Sequence, residues 1–323
     1  MANDPSFQSV VEALLDTTKP FPANYLHYFS DLDPANLDIL LAAWPDITSQ
    51  RKQNLLEDLE DLMDSDTLTS FEDLGRSLIS DPDPVVRTLA IHLLSECDDP
   101  KLALKYLECL QKDESPLVRT ASADALGWLI YLGEIDKIPG HVHRQVEDIL
   151  LTTFQSENSE LVKQHVLEAL GASSRTEVEP LIRAALGQKN PAWVVSALNA
   201  IGRSSNEEWD KEILSHLRSK KDVIRKAAIN SAGEVGIPSA REPLLTLLEE
   251  EEEIETRHEI VTALSKIGGE GVRSRLEELV ESEEDDEEVE FLEEALNSLI
   301  FSEEMGNFKM FDFDDDNDRD HED

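Results

Sequence analysis

A pattern that recurs seven times at nearly constant spacing constrains this chain more than any other feature. Five of the seven copies begin with a charged residue. In every copy an apolar or small residue follows seven positions later, and Gly, Ser or Asn follows after eight. Intervals of 32, 44, 31, 31, 32 and 32 positions separate the first residues, which are Arg87, Arg119, Lys163, Val194, Arg225, Arg257 and Val289. Repeats of this length predict a solenoid in which each unit packs only on its neighbours.

Apolar residues recur at helical spacing within each repeat, in two runs separated by a short polar turn. In the first copy, residues 71–80 predict one helix, residues 81–84 the turn, and residues 85–96 a second helix. The same order returns in every copy. We therefore predict an all-α solenoid of about seven helical hairpins preceded by an atypical helical cap.

The repeat register divides the chain into four regions. These are an N-terminal arm at 1–20, a helical cap at 21–70, the repeat array at 71–300, and a tail rich in Phe and Asp at 301–323. The longest interval, 44 residues, indicates an insertion at 130–144 within the array. Pro139-Gly140 breaks any helix there, so we expect the insertion to form a loop on one face.

The charge of the chain excludes some partners. The net charge is -41, and residues 249–323 carry more than half of it. Such a charge opposes a nucleic acid or an anionic membrane and suits a basic protein partner. Cys97 and Cys109 form no recognisable disulfide framework, and the sequence shows neither a signal peptide nor a transmembrane run. We expect a cytoplasmic monomer.

Three segments resemble HEAT-type repeats of the phycobilisome-lyase-like variety: DPDPVVRTLAIHLL at 81–94, DESPLVRTASADALG at 113–127 and EEEIETRHEIVTAL at 251–264. The resemblance spans about residues 71–300 and implies a right-handed α-α superhelix, a HEAT-like solenoid. It also implies a ladder along the stack between an acidic turn residue and a basic residue six positions later. Four copies fit this pattern and three depart from it; those that fit are Asp81/Arg87, Asp113/Arg119, Glu157/Lys163 and Glu251/Arg257.

Two enzyme classes with similar repeats are alternatives. One is the bilin lyases, and the other is deoxyhypusine hydroxylase, whose His-Glu pairs bind two irons. Here His258-Glu259 matches such a pair, but a di-iron site needs several. His141 and His143 in the insertion could hold a metal from an extended segment, yet they lack nearby Cys or carboxylate partners in the sequence. We therefore predict no catalytic residues, no metal and no cofactor.

A polar row on the second helices is the predicted protein-binding surface. Positions one and five residues after the start of each copy share one helix face, which the resemblance places on the concave side. The alternative is an ordinary solvated face. The candidate residues are Thr88, His92, Asp124, Gln164, Glu168, Asn199, Lys226, Asn230, His258 and Thr262.

The tail offers a second candidate contact. Phe308, Phe311 and Phe313 could dock in a groove of a partner while the acidic residues meet a basic rim, or they could cap the last repeat. The sequence thus predicts a non-catalytic scaffold or adaptor that binds a protein partner. A lyase-type or metal-dependent enzyme and an acidic chaperone or mimic that binds basic proteins are the alternatives.

Overall fold

The structure consists of helices stacked in hairpins. A computed structural model describes residues 5–95 and 97–314, without the side chains of Glu207 and of residues 305–314. These residues form α-helices and short 3₁₀ helices and contain no β-strand. The chain divides into two compact units, residues 1–173 and residues 174–323. The prediction of an all-α repeat fold is confirmed.

The first unit contains the N-terminal cap and three hairpins. In each hairpin the second helix packs on the second helix of the hairpin before it. Its helices are α1 (Phe7–Leu15), α2 (Pro34–Ala43), α3 (Ser49–Ser65), α4 (Glu72–Leu78), α5 (Pro84–His92), α6 (Leu102–Lys112), α7 (Pro116–Glu134), α8 (Gly140–Ser156) and α9 (Glu160–Leu170), with 3₁₀ turns at Ala23–Phe29 and Trp44–Asp46.

The second unit contains four hairpins built in the same way. Its helices are α10 (Val178–Leu186), α11 (Pro191–Ser204), α12 (Asp210–His216), α13 (Asp222–Val235), α14 (Arg241–Glu250), α15 (Ile254–Ile267), α16 (Val272–Ser282) and α17 (Asp286–Asp314), with 3₁₀ turns at Glu207–Trp209 and Pro238–Ala240. The even-numbered helices from α4 to α16 are the first helices, and the odd-numbered helices from α5 to α17 are the second helices. No helix in the described part of the chain is both long and apolar enough to cross a membrane.

Short polar residues followed by proline start several second helices. Asp83 precedes Pro84 at the start of α5, and its carboxylate accepts a hydrogen bond from the Val85 amide. Asn190 precedes Pro191 at the start of α11 in the same way. Proline suits the first helical position because its missing N–H would have no partner there. These pairs set the turn within the hairpins that contain them.

The N-terminal arm and the cap share one core. Helix α1 buries Phe7, Val10, Val11 and Leu14 in the same apolar cluster as residues of α2, α3, α4 and α5. The ring of Phe7 meets Phe29 edge-on, with centroids 5.8 Å apart. Because its apolar face is covered, α1 belongs to the folded cap rather than extending from it.

The insertion lengthens two helices. The longest helix of the first unit, α7, runs from Pro116 to Glu134, and α8 follows from Gly140, so only residues 135–139 lie outside helices. Pro139 does break the helical path, and it then precedes the first residue of α8. The loop expected at 130–144 is therefore short, and most of the insertion is helical.

A ladder of ion pairs links successive hairpins. The guanidinium of Arg87 donates to both carboxylate oxygens of Asp113, at 2.9 and 2.8 Å, and to the backbone carbonyl of Asp81 at 2.8 Å. Arg119 repeats this arrangement with Glu157 and the carbonyl of Asp113. Each arginine thus reaches its own turn and the acid of the following repeat.

The acids of the ladder also receive backbone hydrogen bonds. Asp113 accepts from the amide of Ser115 at 2.9 Å, and Glu157 accepts from the amide of Ser159 at 2.8 Å. Burial alone would raise the pKa of Asp113, but the Arg87 guanidinium and the Ser115 amide together lower that pKa below its ordinary value. These carboxylates therefore stay charged and hold the turn at neutral pH.

Trp44 completes the ladder at its N-terminal end. Asp81 is the first turn acid, it is buried, and its Oδ2 accepts a hydrogen bond of 2.8 Å from Trp44 Nε1. The cap thus supplies an indole where later repeats supply an arginine.

We expect Trp44→Phe to lower the free energy of unfolding by about 2 kcal/mol, because it removes one donor from a buried carboxylate. Urea unfolding followed by circular dichroism measures this change. Trp128→Phe is the control, since Trp128 Nε1 donates to Asp98 at an exposed site. Equal destabilisation by the two variants would contradict a special role for the buried contact.

Candidate protein-binding surface

The polar row of the first unit begins on α5. Thr88 and His92 are half-buried there, and the Thr88 hydroxyl donates to the carbonyl of Pro84 at 2.9 Å. His92 Nδ1 lies 2.9 Å from Glu60 Oε1 on α3, at an angle too poor for a hydrogen bond. His92 therefore contributes to contact between neighbouring helices as well as to the surface.

The row residues on α9 are buried rather than exposed. Gln164 and Glu168 are buried, at 7% and 9% exposure, so they do not form part of an accessible surface. Helix α9 packs against both α7 and α8, and most of its residues are covered. His165 takes the outward position instead, and its Nδ1 lies 3.0 Å from both carboxylate oxygens of Asp124 on α7.

The row of the second unit is more accessible. Asn230 and Thr262 are exposed, while Asn199 is half-buried. Lys226 Nζ on α13 lies 3.2 Å from Glu255 Oε2 on α15. His258 Nε2 lies 2.6 Å from Glu288 Oε2 on α17.

Ionisable side chains of neighbouring second helices therefore contact one another across this row. The pairs Glu60–His92, Asp124–His165, Lys226–Glu255 and His258–Glu288 each join one second helix, or α3, to the next. Exposed pairs of this kind contribute only about 0.2 to 1 kcal/mol each. The row is thus polar, and many of its side chains contact one another, so the row alone does not select a partner.

Exposed apolar side chains accompany the row, and sequence reasoning missed them. Leu117 is 51% exposed, Leu161 45%, Val223 59% and Ile254 62%, all in the first turn of a second helix. The first three lie two positions before the start of their repeat copy. Their regular position in the repeat was a signal in the sequence that they share one role. Their exposure could not be predicted, because the burial of a first-turn residue depends on how far the preceding turn covers it.

The described residues show little catalytic chemistry on these surfaces. Both cysteines are free and buried, and burial raises the pKa of the Cys97 and Cys109 thiols, which disfavours the nucleophilic thiolate. An open acidic cavity of about 390 Å³ lies between α14 and α16 and is lined by Glu242, Leu245, Thr246, Glu249, Gly271, Ser274, Arg275 and Glu278. Its lining includes neither histidine nor cysteine.

Metal-binding capacity lies outside the row. Among the described residues, the one group of three His, Cys, Asp or Glu side chains close enough to share an ion is Glu134, His143 and Glu147. The His258-Glu259 pair is not part of such a group, since His258 Nε2 contacts Glu288. The requirement of several His-Glu pairs around two irons is therefore not met within the described residues.

The tail prediction concerns residues that the structure covers only in part. The backbone of α17 is helical to Asp314. The side chains of Phe308, Phe311 and Phe313 lie outside the described residues, as does everything from residue 315 onward. Their docking on a partner stays a prediction.

Comparison with known families agrees with the repeated helical hairpins. The family described as HEAT repeats matches residues 71–139 and 211–297, which cover hairpins of both units. The chain contains HEAT repeats. No curated protein sequence shows significant similarity to it.

Solved structures of other HEAT-like proteins are distant relatives in shape. YibA of Escherichia coli is 16% identical, with a TM-score of 0.43 over 85% of this HEAT-repeat chain and 95% of YibA. Human deoxyhypusine hydroxylase in complex with glycerol is 16% identical, with a TM-score of 0.35 over 91% and 96%. Importin beta is 12% identical, with a TM-score of 0.42 over 91% of this chain and 41% of importin beta.

Proposed function

We propose that this protein is a non-catalytic scaffold or adaptor that binds a basic protein segment along its second helices. The observation that carries the proposal is the set of four exposed apolar side chains in the first turns of second helices: Leu117, Leu161, Val223 and Ile254. Large apolar side chains in the first turns of neighbouring second helices form a series of contact points within each unit.

Charge favours a basic partner. An exposed glutamate lies within three residues of three of these side chains: Glu114 near Leu117, Glu160 near Leu161, and Glu253 near Ile254. A segment that alternates apolar residues with Lys or Arg would cover the apolar side chains and meet the glutamates. Complete burial of a fully exposed side chain of this size contributes about 1.5 to 3 kcal/mol. These side chains are already about half covered, so each contact adds about 1 kcal/mol, and the charged contacts must supply the rest of the affinity.

Affinity capture from the native cell tests the proposal. The full chain, a variant with Leu117→Ser and Leu161→Ser, and a variant with Val223→Ser and Ile254→Ser are compared as bait, and mass spectrometry quantifies what each retains. We expect a partner of the full chain to be retained about tenfold less by at least one double variant, and to elute as salt is raised.

A matched control separates this surface from general surface hydrophobicity. Leu68 is 89% exposed before α4 and Leu104 is 65% exposed on α6, away from the second helices. Leu68→Ser with Leu104→Ser should retain the same partner as the full chain. Identical retention by all variants, or two iron atoms per purified chain, would contradict the proposed function.

A further inference from the structure

Three ionisable side chains converge where the insertion joins α7 to α8. Glu134 is the last residue of α7, and His143 and Glu147 lie one turn apart near the start of α8. His143 Nε2 is 3.6 Å from Glu134 Oε1 and 3.7 Å from Glu147 Oε1. One potential ligand atom from each side chain lies within 4.8 Å of the others.

These distances are those of ligands around an ion rather than of hydrogen bonds. A hydrogen bond between nitrogen and oxygen is about 2.7 to 3.2 Å long, and His143 Nε2 is buried without such a partner. Zinc bonds to nitrogen and oxygen are about 2.0 to 2.2 Å long, which places tetrahedral ligand atoms about 3.4 Å apart. The spacing of the three ligand atoms is therefore close to that of ligands around one cation.

Burial makes a cation favourable at this place. The side chain of Glu147 is 4% exposed, that of His143 15% and that of Glu134 25%. Two carboxylates this close together repel one another, and a cation bound between them relieves that repulsion. Glu147 Oε1 also accepts a hydrogen bond from the Ser173 hydroxyl, a contact that would orient this carboxylate as a ligand.

The backbone of α7 fixes the imidazole. A Cβ atom at Gly133 would lie 2.3 Å from His143 Cγ, so the ring packs directly on the helix where Gly133 has no side chain. Any larger residue at 133 would displace the ring. His143 is thus held in place by packing before a ligand arrives, as preorganised metal sites require.

We propose that Glu134, His143 and Glu147 form a site for a divalent transition metal, best suited to Zn²⁺, that joins the end of α7 to the start of α8. One imidazole and two carboxylates are suitable ligands for Zn²⁺, which binds such groups more tightly than Fe²⁺ or Mn²⁺ does. The fourth position is open to water. The site stands apart from the second-helix row, so it holds whether or not that row binds a partner.

Zinc titration of the full-length, chelator-treated chain tests the site. Competition with a chromophoric chelator should show one equivalent of Zn²⁺ per chain, and Co²⁺ should give the visible spectrum of a tetrahedral site. His143→Gln and Glu147→Gln should each weaken Zn²⁺ binding by about 100-fold. His141→Gln should leave it unchanged, since His141 is exposed and outside the cluster.

Thermal melting keeps the test independent of folding defects. Zn²⁺ should raise the melting temperature of the wild type and of His141→Gln but not of Glu134→Gln, a change at the most exposed of the three ligands. Failure to bind one equivalent of Zn²⁺ would overturn the proposal. Binding that His143→Gln and Glu134→Gln leave unchanged would overturn it too.

Discussion

Replacement of Arg119 by alanine is expected to lower the free energy of unfolding by about 3 kcal/mol. The Arg119 guanidinium donates to both oxygens of Glu157, at 3.0 and 3.3 Å, and to the carbonyl of Asp113 at 2.9 Å. The side chains are only 15% and 12% exposed, so water does not replace the lost contacts fully. Much of the cost comes from leaving the Glu157 carboxylate charged and poorly solvated.

The effect of Arg119→Ala should depend on pH in a defined direction. Burial opposes the charge on Glu157, but the amides of Ser159 and Asn158 and the Arg119 guanidinium lower its pKa below the ordinary 4.5. A lowered pKa in the folded state gives stability that is present above about pH 4.5 and is lost as the pH falls through the folded value. The difference between wild type and variant should therefore be largest near pH 7 and shrink toward pH 3.

Urea unfolding at pH 7 and pH 3 measures this difference. Arg273→Ala is the matched control, because Arg273 also donates to a carboxylate at 3.0 Å, that of Glu277, but both side chains are about half exposed. The control should show little change at either pH. A cost for Arg119→Ala that is equally small, or one that does not vary with pH, would show that the ladder does not stabilise the stack.

Gly233→Ala is expected to destabilise the second unit by about 2 kcal/mol, although alanine is the better helix former. A Cβ atom at Gly233 on α13 would lie 2.7 Å from the Cα atom of Ala263 on α15. Backbone atoms cannot move aside cheaply, so the two second helices would have to separate. Lost packing between them outweighs the gain in helix propensity.

Gly202→Ala provides the contrast at the same repeat position. A Cβ atom at Gly202 on α11 would lie 3.4 Å from the Cα atom of Ser231 on α13, which is ordinary contact. We expect this variant to be neutral or up to about 1 kcal/mol more stable. Urea unfolding of both variants decides the matter: a loss of stability at both glycines, or at neither, would contradict the packing explanation.

The repeat period predicted the helical hairpins, because spacing and apolar periodicity depend on local chemistry that each repeat carries in full. The resemblance to HEAT-type repeats implied the ladder, and the pair of Arg87 with Asp113 shows that it runs from one repeat to the next. The burial of individual side chains in the polar row was harder to predict. Gln164 and Glu168 occupy the same repeat positions as Lys226, which is half-buried, and Asn230, which is exposed. The sequence pattern does not indicate that α9 is more fully covered than α13.

The cluster around His143 was not predicted, because the insertion was expected to form a loop. Glu147 lies four residues after His143, which would have indicated a shared helix face had α8 been expected to begin at Gly140. Glu134 comes close only because residues 135–139 reverse the chain, with Asp136 at a φ of 59°. A left-handed residue of this kind is not readable from apolar periodicity.

The contact between Trp44 and Asp81 has a consequence for how separate molecules meet. In the ladder each arginine pairs with the acid of the next repeat, so the two surfaces that meet are different. Contacts between different surfaces of identical molecules can repeat without limit and form open filaments. An uncovered Asp81 would be an acceptor for the arginine of a second molecule. Because the indole of Trp44 already donates to that carboxylate, Asp81 is not available to the arginine of a second molecule.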